Sequence, residues 1–304
     1  MEINETTILD DRGFIKINGN EARSFLQNIV TNDIEKITDN FTLFSSIFTP
    51  QGKYLYEFFI LKFEDGYLLE CEKKVTSEII KIFNFYKLRT KVNLIDVSKK
   101  YTSIIISLKK FKKITESQHV KGSNLSYEEG STLSCENERI YIDPRHKGLG
   151  AKIITKIENT ENIIKNLYLK KIDKKKYYDE SFALGIPQID LDKLKDKIFG
   201  IENNLDELNG IDFKKGCYIG QENTSRIKLR NKLRRRILPI QKVAGEILEN
   251  DIIKYKDLEI GKIIINKPYS FGLIKVVDPD IEVIANTELI CGKSKVRIIK
   301  PEWI

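Results

Sequence analysis

Asp212-Phe213-Lys214-Lys215-Gly216-Cys217-Tyr218-Ile219-Gly220-Gln221-Glu222, with Arg226 four residues further on, is the stretch on which the reading of this sequence turns. Gly216 and Gly220 bracket a cysteine and an aromatic, so the backbone there is free to turn tightly or to come close to a ligand. The residues after Gly220 predict the start of a helix, on which Glu222 and Arg226 are i, i+4 neighbours on one face. Lys214 and Lys215 are cations placed to favour a Cys217 thiolate. As generic chemistry the stretch also reads as a loop with an inert cysteine and a surface ion pair. No partner histidine stands nearby, and neither His119 nor His146 has a catalytic context.

Upstream, Gly13–Ile17 reads as a strand. The next apolar residues, Ala22, Phe25, Leu26 and Ile29, fall at i, i+3, i+4 and i+7, one face of a helix that Asn20 is placed to cap. Strands follow at about 42–48 and 53–63 around Thr49-Pro50-Gln51-Gly52, and Asp65-Gly66 predicts a tight hairpin to 67–71. A second amphipathic helix is expected over about 74–88, then strands at 91–97 and 102–108. Residues 112–136 lack pattern and read as an exposed excursion. Strand 139–142 runs into Asp143-Pro144-Arg145, and Gly148 and Gly150 lead to another. One helix is expected over about 160–184, stopped at Gly185-Ile186-Pro187. From about 237, strands near 237–242, 251–255, 259–266, 271–277, 282–285, 288–291 and 295–299 suggest a small antiparallel barrel or sandwich.

The 304 residues exceed the usual single domain, and 41% hydrophobic with 32% charged content describes a folded protein. No apolar run approaches the roughly 18–20 residues of a membrane span. Cys71, Cys135, Cys217 and Cys291 form no CxxC pair, which argues against a local zinc or iron–sulfur site and against a disulfide framework. No GxGxxG or P-loop appears. The formal charge of +8 suits a polyanion. The run Lys228, Arg230, Lys232, Arg234, Arg235 and Arg236 has three readings: a solvated face, attraction of a polyanionic ligand or acidic partner, and contact with RNA. No aromatic interleaving supports the third. Glu2, Glu5, Asp10 and Asp11 near the start fit neither a secretory nor a transit signal.

The Lys215–Glu222 string with Arg226 closely resembles the signature of the YgfZ family. These are GcvT-like, folate-binding relatives of the glycine-cleavage T-protein, and they include a mitochondrial iron–sulfur cluster assembly factor. The likeness extends in order to Gly19–Asp33, Pro50-Gln51-Gly52-Lys53, Asp143-Pro144-Arg145, Ala183–Pro187 and Ile201–Asp206. It implies an α+β, GcvT-like three-lobed folate-binding fold with a small C-terminal antiparallel β-barrel. Residues 1–236 would be the folate-binding region, in two α+β lobes, and 237–304 the barrel. It implies tetrahydrofolate as cofactor, held by Tyr177, Glu202, Asn204, Tyr218, Gln221, Glu222, Arg226 and Arg145, with Cys217 as a functional thiol and no metal.

The function so implied is an accessory role in iron–sulfur cluster assembly or repair, with folate, client enzymes or assembly proteins as partners. A tRNA is a further candidate partner, and no membrane is implied. The compartment expected is the cytoplasm, or the mitochondrial matrix only if a presequence is missing. The alternatives are a folate-dependent aminomethyltransferase and a tRNA-binding or tRNA-modification factor. Two departures stand out. Arg12 occupies a position where some relatives carry tryptophan. Leu55 and Tyr56 occupy the positions of the T-protein's acidic pair, with Glu57 one residue late and so on the opposite face of its strand. The second departure disfavours aminomethyl transfer, which needs a proton-transfer group within reach.

Overall fold

The computed structural model describes residues 1–117, 127–135, 138–230, 233–285 and 287–304. Strands β1 (Glu5–Leu9) and β2 (Arg12–Asn18) lead into helix α1 (Ala22–Ile29), then β3 (Leu43–Phe48), β4 (Tyr54–Phe63), β5 (Gly66–Glu72), α2 (Thr76–Lys87), β6 (Asn93–Asp96) and β7 (Tyr101–Ile106). Next come α3 (Leu108–Ser117), β8 (Thr132–Ser134), β9 (Arg139–Ile142), β10 (Ala151–Lys156), α4 (Thr160–Asn166), β11 (Lys170–Lys171), α5 (Lys174–Ala183) and α6 (Gln221–Leu229). The last part holds β12 (Arg235–Ala244), β13 (Ile252–Tyr255), β14 (Leu258–Ile265), β15 (Phe271–Lys275), α7 (Ile281–Ile284), β16 (Leu289–Cys291) and β17 (Ser294–Ile298). No helix among the described residues is long and apolar enough to cross a membrane.

The chain divides into two compact units. One comprises residues 1–47, 57–177 and 208–218, and the other 48–56, 178–207 and 219–304. A five-stranded sheet has the order β3-β4-β5-β2-β6, with β2 antiparallel to both its neighbours. Ala22, Phe25, Leu26 and Ile29 are the buried face of α1, as their spacing predicts. Phe83 of α2 meets Phe25 and Phe58 edge-on, each at 5.9 Å, which joins both helices to this sheet. A second sheet, β11-β1-β7-β10-β9-β8, is antiparallel except for the β1–β11 pair and buries Ile104, Ile106, Ile140 and Ile153. In the second unit β12-β15-β14-β13-β16-β17 closes into an antiparallel barrel filled by Ile240, Ile253, Ile263, Ile274, Val296 and Ile298. An α+β fold ending in a small barrel is what the sequence implies.

Several local expectations are corrected. The cap of α1 is Glu21, not Asn20, and it makes no side-chain cap bond; its carboxylate accepts the Lys91 N–H instead. The β4–β5 turn is Glu64-Asp65, because Phe63 already pairs with Gly66. Part of the excursion expected over 112–136 is the amphipathic helix α3, which buries Phe111 and Ile114; the Ser107 hydroxyl accepts the Lys110 N–H at its start. Residues 118–126 and 136 of that stretch lie outside the described residues. The helix expected over 160–184 is two helices. Between them Lys170–Lys171 pairs with β1, and Asp173 restarts the helix by accepting the Lys175 N–H at 2.8 Å. The strand expected at 282–285 is α7, in which Ile281 and Ile284 turn inward at helical spacing. The stop at Gly185 holds: its φ is +75°, and the Ile186 N–H donates back to the Ser181 carbonyl at 2.9 Å.

Candidate functional site

Residues 208–218 are stitched onto the end of α1. The Thr31 hydroxyl donates to the Gly210 carbonyl at 2.6 Å, and the Asp212 N–H donates to the Thr31 carbonyl at 3.0 Å. The Asn32 amide reaches the Asn209 carbonyl at 2.8 Å. Lys215 completes the join. Its ammonium donates to the carbonyls of Gln27 and Val30 at 2.7 Å and of Asn32 at 2.9 Å. The last carbonyls of a helix lack intrahelical partners and carry its negative pole, and an ammonium has three protons to give. Burial lowers the Lys215 pKa to about 8, against the pull of Asp33 and Asp212. Burial opposes the Asp212 charge as well, but the Lys36 ammonium at 2.5 Å and the Lys214 N–H hold its pKa below the usual carboxylate range.

Beyond this anchor the chain alternates. Lys215 is buried, Gly216 and Cys217 are exposed, and Tyr218 is buried again with its ring 5.2 Å from the Lys215 ammonium. Burial, and next the Asp212 charge, push the Tyr218 phenol well up. Cys217 is therefore a thiol displayed to solvent between two buried anchors, and Lys215 spends its ammonium on α1 rather than on the thiol. A Cβ added to Gly216 would meet nothing within 4 Å.

In the second unit Gly220 precedes α6 with φ +84°, and a Cβ there would lie 2.5 Å from the Thr49 carbonyl oxygen. The head of α6 lies on the Thr49–Gly52 turn, where the Asn223 amide donates to the Gln51 carbonyl at 3.0 Å. Both Glu202 carboxylate oxygens are occupied, one by the Phe199 N–H at 2.8 Å and one by Arg235 at 2.9 Å. Asn204 accepts from Arg236 and donates to the Ile237 carbonyl. Arg236 also meets Glu207 at 2.6 Å, and Lys228 meets Asp206. Much of the basic run is thus neutralised by the acids of 202–207. Gln221 is half-buried at the head of α6, while Glu222 and Arg226 are exposed along it. Lys232 lies outside the described residues.

Sequence reasoning missed a buried ionic centre in the first unit. Glu70, in the middle of β5, accepts from Arg12 at 2.9 Å and Lys152 at 2.8 Å on one oxygen, and from the Tyr141 hydroxyl at 2.5 Å on the other. Burial opposes its charge, yet the two cations hold its pKa down at about 2. Arg12 is thus the partner of a buried acid. The Phe59 ring has the Lys152 ammonium 3.9 Å from its centroid and the Arg145 guanidinium 4.7 Å from it. Arg145 is buried and forks onto Asp143 at 3.0 and 2.8 Å; burial works against its charge, but Asp143 more than offsets that and raises its pKa. Tyr177, 1% exposed, and Glu57 lie near enough to act on the Arg145 charge. The missed signals were a glutamate inside the fully buried GYLLECE strand and a lysine inside AKIITK.

In the second unit, Tyr56 accepts from the Lys195 ammonium at 3.0 Å. His146 accepts the Gly148 N–H, and His119 lies outside the described residues.

No family model matches the chain. It is similar to a mitochondrial iron–sulfur cluster assembly factor IBA57 homolog of Dictyostelium discoideum, 27% identical over 76% of this chain and 61% of the relative. It resembles those of Neurospora crassa, at 28% over 77% and 52%, and of Pyricularia oryzae, at 29% over 77% and 56%. The chain spans little more than half the length of these relatives. Its fold matches the crystal structure of glycine cleavage system aminomethyltransferase T from Bartonella henselae, with a TM-score of 0.71, 10% identity, and 99% of this chain and 86% of that one covered. The family resemblance and the GcvT-like fold are thereby borne out. The cytoplasmic expectation is corrected: each of these curated relatives is named as mitochondrial.

Proposed function

We propose that this chain is a folate-binding accessory protein for iron–sulfur cluster assembly or repair, acting like its named relatives in mitochondria. The observation that carries the reading is the exposed Cys217 thiol on a loop pegged by Lys215, in a chain similar over three quarters of its length to iron–sulfur assembly factors. Cys71 and Cys291 are buried. An iron–sulfur cluster takes about four ligands, so one engaged by Cys217 as cargo is shared with ligands from a partner.

The fit to a folate divides the expected residues. Glu202, Asn204 and Arg145 spend polar atoms inside the protein, on Phe199 and Arg235, on Arg236 and Ile237, and on Asp143. Each braces its own unit. Gln221 and Glu222, at the head of α6, are proposed to supply a polar edge to a reduced folate. Aminomethyl transfer is set aside because Leu55 and Tyr56 stand where that reaction's acids are expected. Contact with tRNA is set aside on the internal neutralisation of Lys228, Arg235 and Arg236.

The test is complementation: in cells lacking the protein, wild type restores a cluster-dependent enzyme and Cys217→Ser does not. Full restoration by Cys217→Ser removes the proposed role, and absence of a calorimetric signal with tetrahydrofolate removes the folate.

A further inference from the structure

The cations around α6 fall into two groups. Lys228, Arg235 and Arg236 each hold an acid of their own unit. Among the described residues, Arg226 and Arg230 hold none, and both are exposed. On the helix Glu222, Arg226, Leu229 and Arg230 fall within a sector of about 100°. Thr224, the buried residue of α6, lies on the other side, against the Thr49–Gly52 turn. Leu229, at one edge of that sector and one turn on from Arg226, is 86% exposed. A leucine so displayed beside two guanidiniums that hold no acid buries little of itself against the fold.

We infer that this face of α6 docks an acidic segment of a partner protein, whose carboxylates meet Arg226 and Arg230 and whose apolar side chain covers Leu229. The inference goes beyond the proposed function by giving the partner a docking face and a chemistry. Guanidinium forks match carboxylates and phosphates alike, so the charge alone admits a nucleic acid. Leu229 decides for protein. It gives a sugar–phosphate backbone nothing to bond, and residues 221–236 contain no Phe, Tyr or Trp on which a base could stack. An acidic strand or helix with one leucine or isoleucine satisfies all three side chains. The docking face follows Cys217 in sequence by 9 to 13 residues. A partner held there is therefore recruited by the same segment that carries the thiol.

The test uses the full chain and three fluorescent probes followed by anisotropy: a short peptide of Asp, Glu and Leu, the same peptide with serine for leucine, and a single-stranded RNA of equal charge. The leucine peptide should bind tightest. Arg226→Glu with Arg230→Glu should weaken it about tenfold or more, and Leu229→Ser should weaken it about threefold or more while leaving the serine peptide unaffected. Equal binding of the two peptides, tighter binding of the RNA, or indifference to the double charge reversal overturns the inference. Cys217→Ser should bind the leucine peptide like wild type. A failed complementation by wild type would then sink the proposed function without touching this face, and lost peptide discrimination would do the reverse.

Discussion

The Lys215 ammonium lies 2.7 Å from the carbonyl oxygen of Val30, the C-cap of α1, across 185 residues of sequence. With Gln27 and Asn32 it gives that nitrogen three acceptors for three protons. Replacing Lys215 by Met leaves those carbonyls without their charged donor and removes the peg beneath Cys217. The expected loss is about 2–3 kcal/mol, a charged hydrogen-bond set offset in part by the relief of a buried charge. Urea unfolding reads the loss. Amide exchange should quicken at Asp212, whose N–H bonds Thr31, and stay unchanged in the barrel strands. Unchanged exchange at Asp212 would show the peg to be idle.

Glu70 makes the fold acid-sensitive. Its folded pKa, about 2, lies below the 4.5 of a free glutamate. A carboxyl lowered in this way adds stability that is present above about pH 4.5 and is lost as pH falls through about 2, because the unfolded chain takes up the proton first. The contribution at neutral pH is on the order of 3 kcal/mol. Guanidinium melts at pH 7 and pH 3 should differ accordingly, and in Glu70→Gln the difference should shrink. That variant should also lose about 3–5 kcal/mol at pH 7, since Arg12 and Lys152 then lose the buried carboxylate they share.

What the sequence made legible is what is periodic or local. The face of α1, the stop at Gly185, the barrel strands and the helix after Gly220 all follow from spacing or from one residue's conformational range. Two helix starts, at Ser107 and Asp173, were passed over because one fell beside a polar stretch and the other inside an apparently continuous helix. The peg and the Glu70 centre join residues 58 to 188 positions apart. Nothing in a local window marks Lys152 as the partner of Glu70; only the odd charge in each buried strand could have raised the question.

The two glycines of the signature should behave oppositely. Gly220 holds φ +84° with the Thr49 carbonyl oxygen 2.5 Å from where a Cβ would stand, so Gly220→Ala must move either the helix head or the turn. A cost of about 2–3 kcal/mol is expected from the left-handed backbone and the clash together. Gly216 has open space on that side, and Gly216→Ala should change stability by no more than about 0.5 kcal/mol. Thermal melts of the two variants settle the contrast. Equal losses would mean that Gly216 is held by something other than crowding at its Cβ.

The ion pairs beneath the basic run should differ in weight although they share one chemistry. Arg236 is 15% exposed and Glu207 22%, and the same guanidinium also donates to Asn204, itself buried and bonded to the Ile237 carbonyl. Lys228 is 51% exposed where it meets Asp206. Removing Arg236 strands a partly buried carboxylate and the Asn204 oxygen together, which should cost about 1–3 kcal/mol. Removing Lys228 withdraws a cation already half in water from Asp206, itself 20% exposed, and should cost less, about 1 kcal/mol at most. A double-mutant cycle of Arg236→Ala with Glu207→Ala should return a coupling several times that of Lys228→Ala with Asp206→Ala, and raising the salt concentration should erode the second before the first. Equal couplings would mean that the Asn204 link adds nothing and that both pairs are only surface charge.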